Sequence, residues 1–325
     1  MEQLPLWFTK SLRIPFDVYP FPHGCIRTGH NEVLVETHDS KGRLALALVR
    51  LLSDGSIERD IINTPDWGFK TSVCSGVCHG GEVYIYTNRP GFDVYVLDLA
   101  THTWREVCVP LSVNGREICL FGGKHQRPHM ISVDEHVVIV AHGYTRHPSG
   151  VWDPPLVGTW RYDPESGTVT CTGHTTWCTN YTCIDAVFHT GGSTYAVMHD
   201  GDESSELRMT SCDSKWRPAS QSPECITRRL TGEYPVSEMI GRLCVYGPVE
   251  TVSFESYEKV VLAWDSVSGQ WSVLGVADWY RTVLFSPQEV LWSEDGGNRS
   301  IVRHLHQGIV CPDDSMGWAV VRDCK

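Results

Sequence analysis

The side chains most able to do chemistry gather in two stretches of this 325-residue chain. KHQRPHM supplies His125, Arg127 and His129, and AHGYTRHPSGVW supplies His142, Arg146, His147 and Trp152. Imidazole, guanidinium and indole groups at this density suit an acidic or aromatic partner, or a metal. CSGVCHG, from Cys74 to Gly80, has three residues between its cysteines where haem attachment needs two, so Cys74 and Cys78 read as buried structural thiols. There is no paired C-x2-C zinc signature, no G-x-S-x-G elbow, no P-loop and no G-x-G-x-x-G ahead of a helix. The 39 acidic residues are spread along the whole chain, so no acid–base pair stands out. The expectation is no catalytic residue, no metal and no cofactor.

The elements that must position these residues repeat. An Asp, five residues and a Trp or its equivalent recur as DLATHTW (Asp98 to Trp104), DPESGTV (from Asp163) and DSVSGQW (Asp265 to Trp271). DSKW ending at Trp216 and DDSMGW ending at Trp318 are shortened forms. Each reads as a hairpin: a strand ends at Asp, whose carboxylate accepts from backbone N–H groups of the turn, and a Trp opens the returning strand to pack between sheets. Short β-branched runs precede each hairpin, as in GGEVYIY and DEHVVIV, and succeed one another about every fifty residues. No stretch keeps a helical period with caps. The reading is all-β: a six-bladed β-propeller of four-stranded antiparallel blades. One domain fills residues 1–325, with blades near 25–65, 72–112, 128–175, 183–221, 235–276 and 281–324. Residues 1–24 form an N-terminal segment. Either Pro5 to Lys10 or Trp318 to Val321 completes the last blade.

The pattern of paired glycines, strand, Tyr and D-x5-W resembles the kelch repeat, most closely at Gly80, Gly81, Tyr84 and Trp104. The family's double glycine after the second strand is degraded, surviving only as Gly296-Gly297. The WD40 pattern fits less well, because Asp stands six residues before Trp here instead of directly after it. Kelch-like enzymes are not matched residue by residue. Against the plant specifier proteins' E-x3-D-x3-H motif, Asp185 and His189 are present but residue 181 is Tyr.

Acidic residues outnumber basic ones by 39 to 27, a net charge of −12, which argues against nucleic-acid and anionic-membrane partners. The start MEQLPLWFTK lacks the form of a secretory signal, so the 13 cysteines are expected reduced and mostly buried, and the protein cytoplasmic.

In a meander, alternate connections fall on one face. The segments 110–128 and 142–156 therefore share a face rich in His, Arg, Trp and Pro. The leading expectation is a non-catalytic module that binds a protein or peptide there. The alternative is a small-molecule or sugar-processing propeller enzyme with its site at the central channel, where His129 and His189 are the candidates.

Overall fold

The computed structural model describes residues 7–15, 26–29, 32–38, 44–52, 57–65, 73–87, 93–121, 127–146, 149–176, 178–200, 208–212, 215–221, 236–240, 243–252, 257–277, 280–286, 289–294, 299–306 and 318–322. Every regular element among them is a strand, and none contains a helix long and apolar enough to cross a membrane. The chain divides into two compact units, residues 73–222 and the remainder on either side.

The first part of the outer unit holds β1 (Trp7–Pro15), β2 (Ile26–Gly29), β3 (Glu32–His38), β4 (Leu44–Leu51) and β5 (Ile57–Asn63). The central unit holds β6 (Val73–His79), β7 (Glu82–Thr87), β8 (Asp93–Asp98), β9 (Trp104–Cys108), β10 (Ser112–Val113), β11 (Arg116–Leu120), β12 (His129–Val133), β13 (His136–Thr145), β14 (Leu156–Tyr162), β15 (Val169–Thr175), β16 (Thr182–Thr190), β17 (Ser193–Asp200), β18 (Arg208–Cys212) and β19 (Trp216–Gln221). The outer unit resumes with β20 (Val236–Ile240), β21 (Leu243–Val252), β22 (Tyr257–Asp265), β23 (Trp271–Ala277), β24 (Tyr280–Ser286), β25 (Glu289–Glu294), β26 (Arg299–His306) and β27 (Trp318–Arg322).

In the outer unit, β2-β3-β4-β5 and β20-β21-β22-β23 are antiparallel meanders. Of the two segments expected to compete for the last blade, Trp318 to Val321 falls in β27, which pairs directly with β25. The other overlaps β1, which pairs with β26 instead.

The central unit repeats the meander as β6-β7-β8-β9 and β16-β17-β18-β19. Between them lies a sheet of order β10-β11-β13-β14-β15, with β12 also on β13. β12 takes residues 136–140 of β13 and β11 takes 143–145, so the two lie end to end along one edge of the same strand. β13 begins HVVIV because both its faces are buried. Its side chains alternate between two cores. Val137, Ile139 and Ala141 join Tyr84, Val96, Met130 and Trp160, whereas Val138 and Val140 join Ile184, Val187, Met198 and Trp216. Each such aliphatic side chain removed from water contributes about 1.5–3 kcal/mol.

The Asp turns have the expected chemistry. Asp98 Oδ1 accepts from the N–H groups of Ala100 (2.8 Å) and Thr101 (2.9 Å). Asp163 Oδ1 accepts from Glu165 (2.9 Å) and Ser166 (3.3 Å), and Asp265 Oδ1 from Val267 (2.9 Å) and Ser268 (3.3 Å). The fourth residue after each Asp has a left-handed backbone, with φ of 56° at His102 and 68° at both Gly167 and Gly269. The Trp positions behave less uniformly than expected. Trp216 is buried between sheets, but Trp104 and Trp271 are only half-buried. The fully buried indole of the middle sheet is Trp160, in β14, whose Nε1–H donates to the Ser112 carbonyl at 2.8 Å. Tyr84, the tyrosine of the repeat, is also buried and donates its hydroxyl to Glu82 at 2.8 Å, where Arg105 donates to the same oxygen at 2.6 Å.

The first strands β6, β12 and β16 of successive sheets lie side by side and are tied by side chains. Ser75 Oγ accepts from the Met130 N–H at 3.2 Å, His79 Nδ1 meets Ser132 Oγ at 2.8 Å, and His129 Nε2 donates to the Ile184 carbonyl at 2.7 Å. These contacts satisfy groups on strand edges that no ladder pairs.

Candidate functional site

The connections β13–β14 and β15–β16 fall on one edge of the central unit. Among the described residues, two exposed aromatic side chains lie there: Trp152 is 51% exposed, and Tyr181, just before β16, 72%. Trp152 sits in a small closed hairpin. The Asp153 N–H donates to the Thr145 carbonyl at 2.9 Å, and Arg146 and Trp152 form a bridge. The Asp153 carboxylate is held by Thr145 Oγ1 (2.5 Å) and by Arg116 of β11 (2.9 Å). An aromatic chain runs inward from Trp152: Tyr144 at 4.3 Å between ring centroids, Phe121 at 5.0 Å from Tyr144, and His142 at 4.5 Å from Phe121. The Arg146 guanidinium lies over the Trp152 ring, 5.6 Å from its centroid.

A second polar cluster lies at the first strands. β16 has a bulge, with Ile184 opposite Met198 and Ala186 opposite Val197, and Asp185 is the extra residue. Bulges re-aim side chains. Here the Asp185 carboxylate meets His199 Nδ1 of β17 at 2.8 Å, with side-chain exposures of only 6% and 4%. The bulge also presents the Ile184 carbonyl to His129. That bond requires His129 Nε2 to carry the proton, so in the neutral ring Nδ1 holds the lone pair. Burial holds the His129 pKa below the usual histidine range, opposed by the Ile184 carbonyl and the charge of Asp185 and assisted by the charge of Arg127. Burial likewise lowers His189, whose Nδ1 contacts Thr194 Oγ1 at 3.2 Å. Among the described residues, no group of three or more His, Cys, Asp or Glu side chains is placed to hold a metal.

No protein-family model matches the sequence, and no curated protein matches it. Solved structures do. The chain is similar to YjhT, with a TM-score of 0.56, 10% identity, and coverage of 84% of this chain and 90% of that one. It is similar to an oligogalacturonate lyase from Vibrio parahaemolyticus, with a TM-score of 0.50, 12% identity, and coverage of 92% and 96%. It is also similar to a Trypanosoma rangeli sialidase in complex with difluorosialic acid, with a TM-score of 0.53, 9% identity, and coverage of 87% and 56%. The fold is all-β and propeller-like.

On this propeller-like frame the residues singled out by sequence divide. Arg146 and Trp152 are exposed and stacked, and Arg127 is half-buried near His129. His142, expected on a loop, is fully buried inside β13. The β13 ladder runs on to Thr145 because β11 supplies it with a partner, and His142 is enclosed with Phe121 against its ring. His125 and His147 lie outside the described residues. Not every cysteine is buried: Cys108 and Cys119 are exposed, on strands with one face to solvent. Asp153, Arg116, Tyr144, Phe121 and His199 were not singled out. Tyr144 stood inside AHGYTRH, but the pairing of Arg116 with Asp153 spans 37 residues and leaves no mark in sequence spacing.

Proposed function

We propose that this chain is a saccharide-binding propeller whose reader is the Trp152 edge of the central unit. The observation that carries this is a half-exposed indole held rigidly in a hydrogen-bonded hairpin, flanked by Tyr144, Arg146 and the Asp153–Arg116 pair. A pyranose has an apolar C–H face and a rim of hydroxyls. Trp and Tyr complement the face, and Asp and Arg complement the rim. Two of the similar structures are named for sugar substrates or ligands, which directs the choice of test compounds. The repeat spacing and shared Asp turn support six blades of kelch type.

The test is a glycan array with the full-length protein, followed by calorimetry on the compounds that bind and chromatography of the products. Binding that disappears in Trp152→Ala supports the reading. An array with no bound glycan overturns it.

A second reading has its own observation. Val151 is 66% exposed beside Trp152 and Arg146, and aromatic–Arg patches of this kind anchor protein partners. An intracellular adaptor would give a blank array and a Trp152-dependent partner in a native pull-down.

A further inference from the structure

Tyr181, the second exposed aromatic residue of the Trp152 edge, sits in a turn closed by three hydrogen bonds. The Thr182 N–H donates to the Thr179 carbonyl (3.2 Å), the Thr179 N–H to Thr182 Oγ1 (2.9 Å), and the Tyr181 N–H to Thr179 Oγ1 (3.1 Å). Thr182 is itself buried, so the turn is anchored from beneath. The backbone is held, yet the Tyr181 side chain makes no hydrogen bond or ring contact with any described residue. Trp152 is alike. Tyr144 and Arg146 hold its ring, and its Nε1–H has no acceptor among the described residues. A single exposed apolar side chain is ordinary. Two on one edge, each on a hydrogen-bonded turn with its polar tip unused, make a pair of ready platforms.

The ladders place them. Thr175 is opposite Val157, and Trp152 precedes Val157 by five residues while Tyr181 follows Thr175 by six, so both lie off the same end of the sheet. They belong to neighbouring sheets. His129 is opposite Val140 and bonded to the Ile184 carbonyl, which sets Val140 and Ile184 at one level. From that level Tyr181 lies three residues back along β16, and the Arg146–Trp152 bridge begins six residues on along β13. The two strands run in opposite directions, so both counts lead toward the same edge. At about 3.3 Å per residue the bridge stands roughly 10 Å farther out. The rings are two steps of a stair and not the jaws of one clamp.

We infer that the ligand of this edge is a linear oligosaccharide, with one unit stacked on Trp152 and a different unit on Tyr181. This rests on the saccharide reading above and names its substrate class: a chain of linked sugars, not a free monosaccharide. The indole N–H and the phenol O–H are then donors to the hydroxyls at the rim of each stacked unit. A chain held at one ring meets the second at high effective concentration, so the second contact adds affinity without a second encounter. Both turns are closed before any ligand arrives, and little ordering cost attaches to binding.

The experiment is calorimetry on the full-length protein with ladders from monosaccharide to tetrasaccharide. The ladders are those of galacturonate, β-1,4-linked glucose and β-1,4-linked N-acetylglucosamine, with the corresponding series of any glycan retained on the array. The expected result is that, in at least one ladder, affinity rises about tenfold or more from the monosaccharide to the longest chain. Tyr181→Ala should erase that gain, and Tyr181→Phe, which keeps the ring, should retain most of it. If every ladder that binds is flat, or if the gain survives Tyr181→Ala, this inference fails while the saccharide reading stands. It fails in the same way if Tyr181→Ala weakens monosaccharide and chain equally, since both rings would then grip one sugar. If nothing in the ladders or on the array binds, both fall together.

Discussion

Asp185 leaves the ladder of β16 and turns its carboxylate onto His199 Nδ1, 2.8 Å away in the neighbouring strand. Both side chains are almost wholly out of water. Removing one partner would take a buried hydrogen bond from the other, and a buried polar group that loses its partner costs about 1–3 kcal/mol, more when charged. Asp185→Ala and His199→Ala should therefore each lower the denaturant midpoint clearly. The double variant should cost less than their sum, and additive losses would show that the two groups do not act as a pair.

A second prediction concerns pH, because burial lowers the pKa of His129 in the folded protein, as it does that of His189. The unfolded chain, with histidines near about 6.5, then binds more protons than the folded one below that pH. Stability is thus complete above about pH 6.5, falls as pH drops toward the lowered folded value, and levels off beneath it. Urea midpoints at descending pH should show this fall. His129→Gln keeps a side-chain donor and should flatten the His129 share, leaving that of His189.

The Asp turns make a third. Left-handed backbone is costly for a residue with a Cβ. Two of the three turns place glycine there and one places His102. His102→Gly should raise stability by up to about 1 kcal/mol, because relief of the left-handed strain exceeds the added chain entropy. Gly167→Ala should lower it by a comparable amount. Calorimetric melting of the two single variants decides the matter.

Gly158 makes a fourth. A Cβ there would overlap the indole of Trp160, two residues along the same strand. Trp160 cannot retreat, being fully buried and bonded to the Ser112 carbonyl. Gly158→Ala should cost about 1–3 kcal/mol, the range for overpacking a core. Trp152→Ala, by contrast, changes a half-exposed residue and should leave the melting temperature almost unmoved. The pair of melts separates the indole that holds the sheet from the one offered to a ligand.

Much of the frame was legible because its signals are local. The Asp98, Asp163 and Asp265 turns each close within six residues, and HVVIV announces a strand buried on both faces. The edge was legible in part. Arg146 and Trp152 lie close enough in sequence to be singled out together. What escaped depends on distance along the chain or on a broken period. Arg116 finds Asp153 through the pairing of β11 with β13. Asp185 reaches His199 only because a bulge interrupts the alternation that would have aimed it elsewhere. His142 looked like a loop residue because nothing in AHGYTRHPSG reveals that a second partner strand continues the ladder beneath it.

That second partner has a consequence of its own. β12 ends its pairing at Val140, so without the β10–β11 hairpin the last turn-ward stretch of β13 would present bare amides and carbonyls. A bare edge recruits strands from other molecules. Residues 112–120 thus serve as a built-in stopper against self-association, and their loss would be felt first as aggregation during expression.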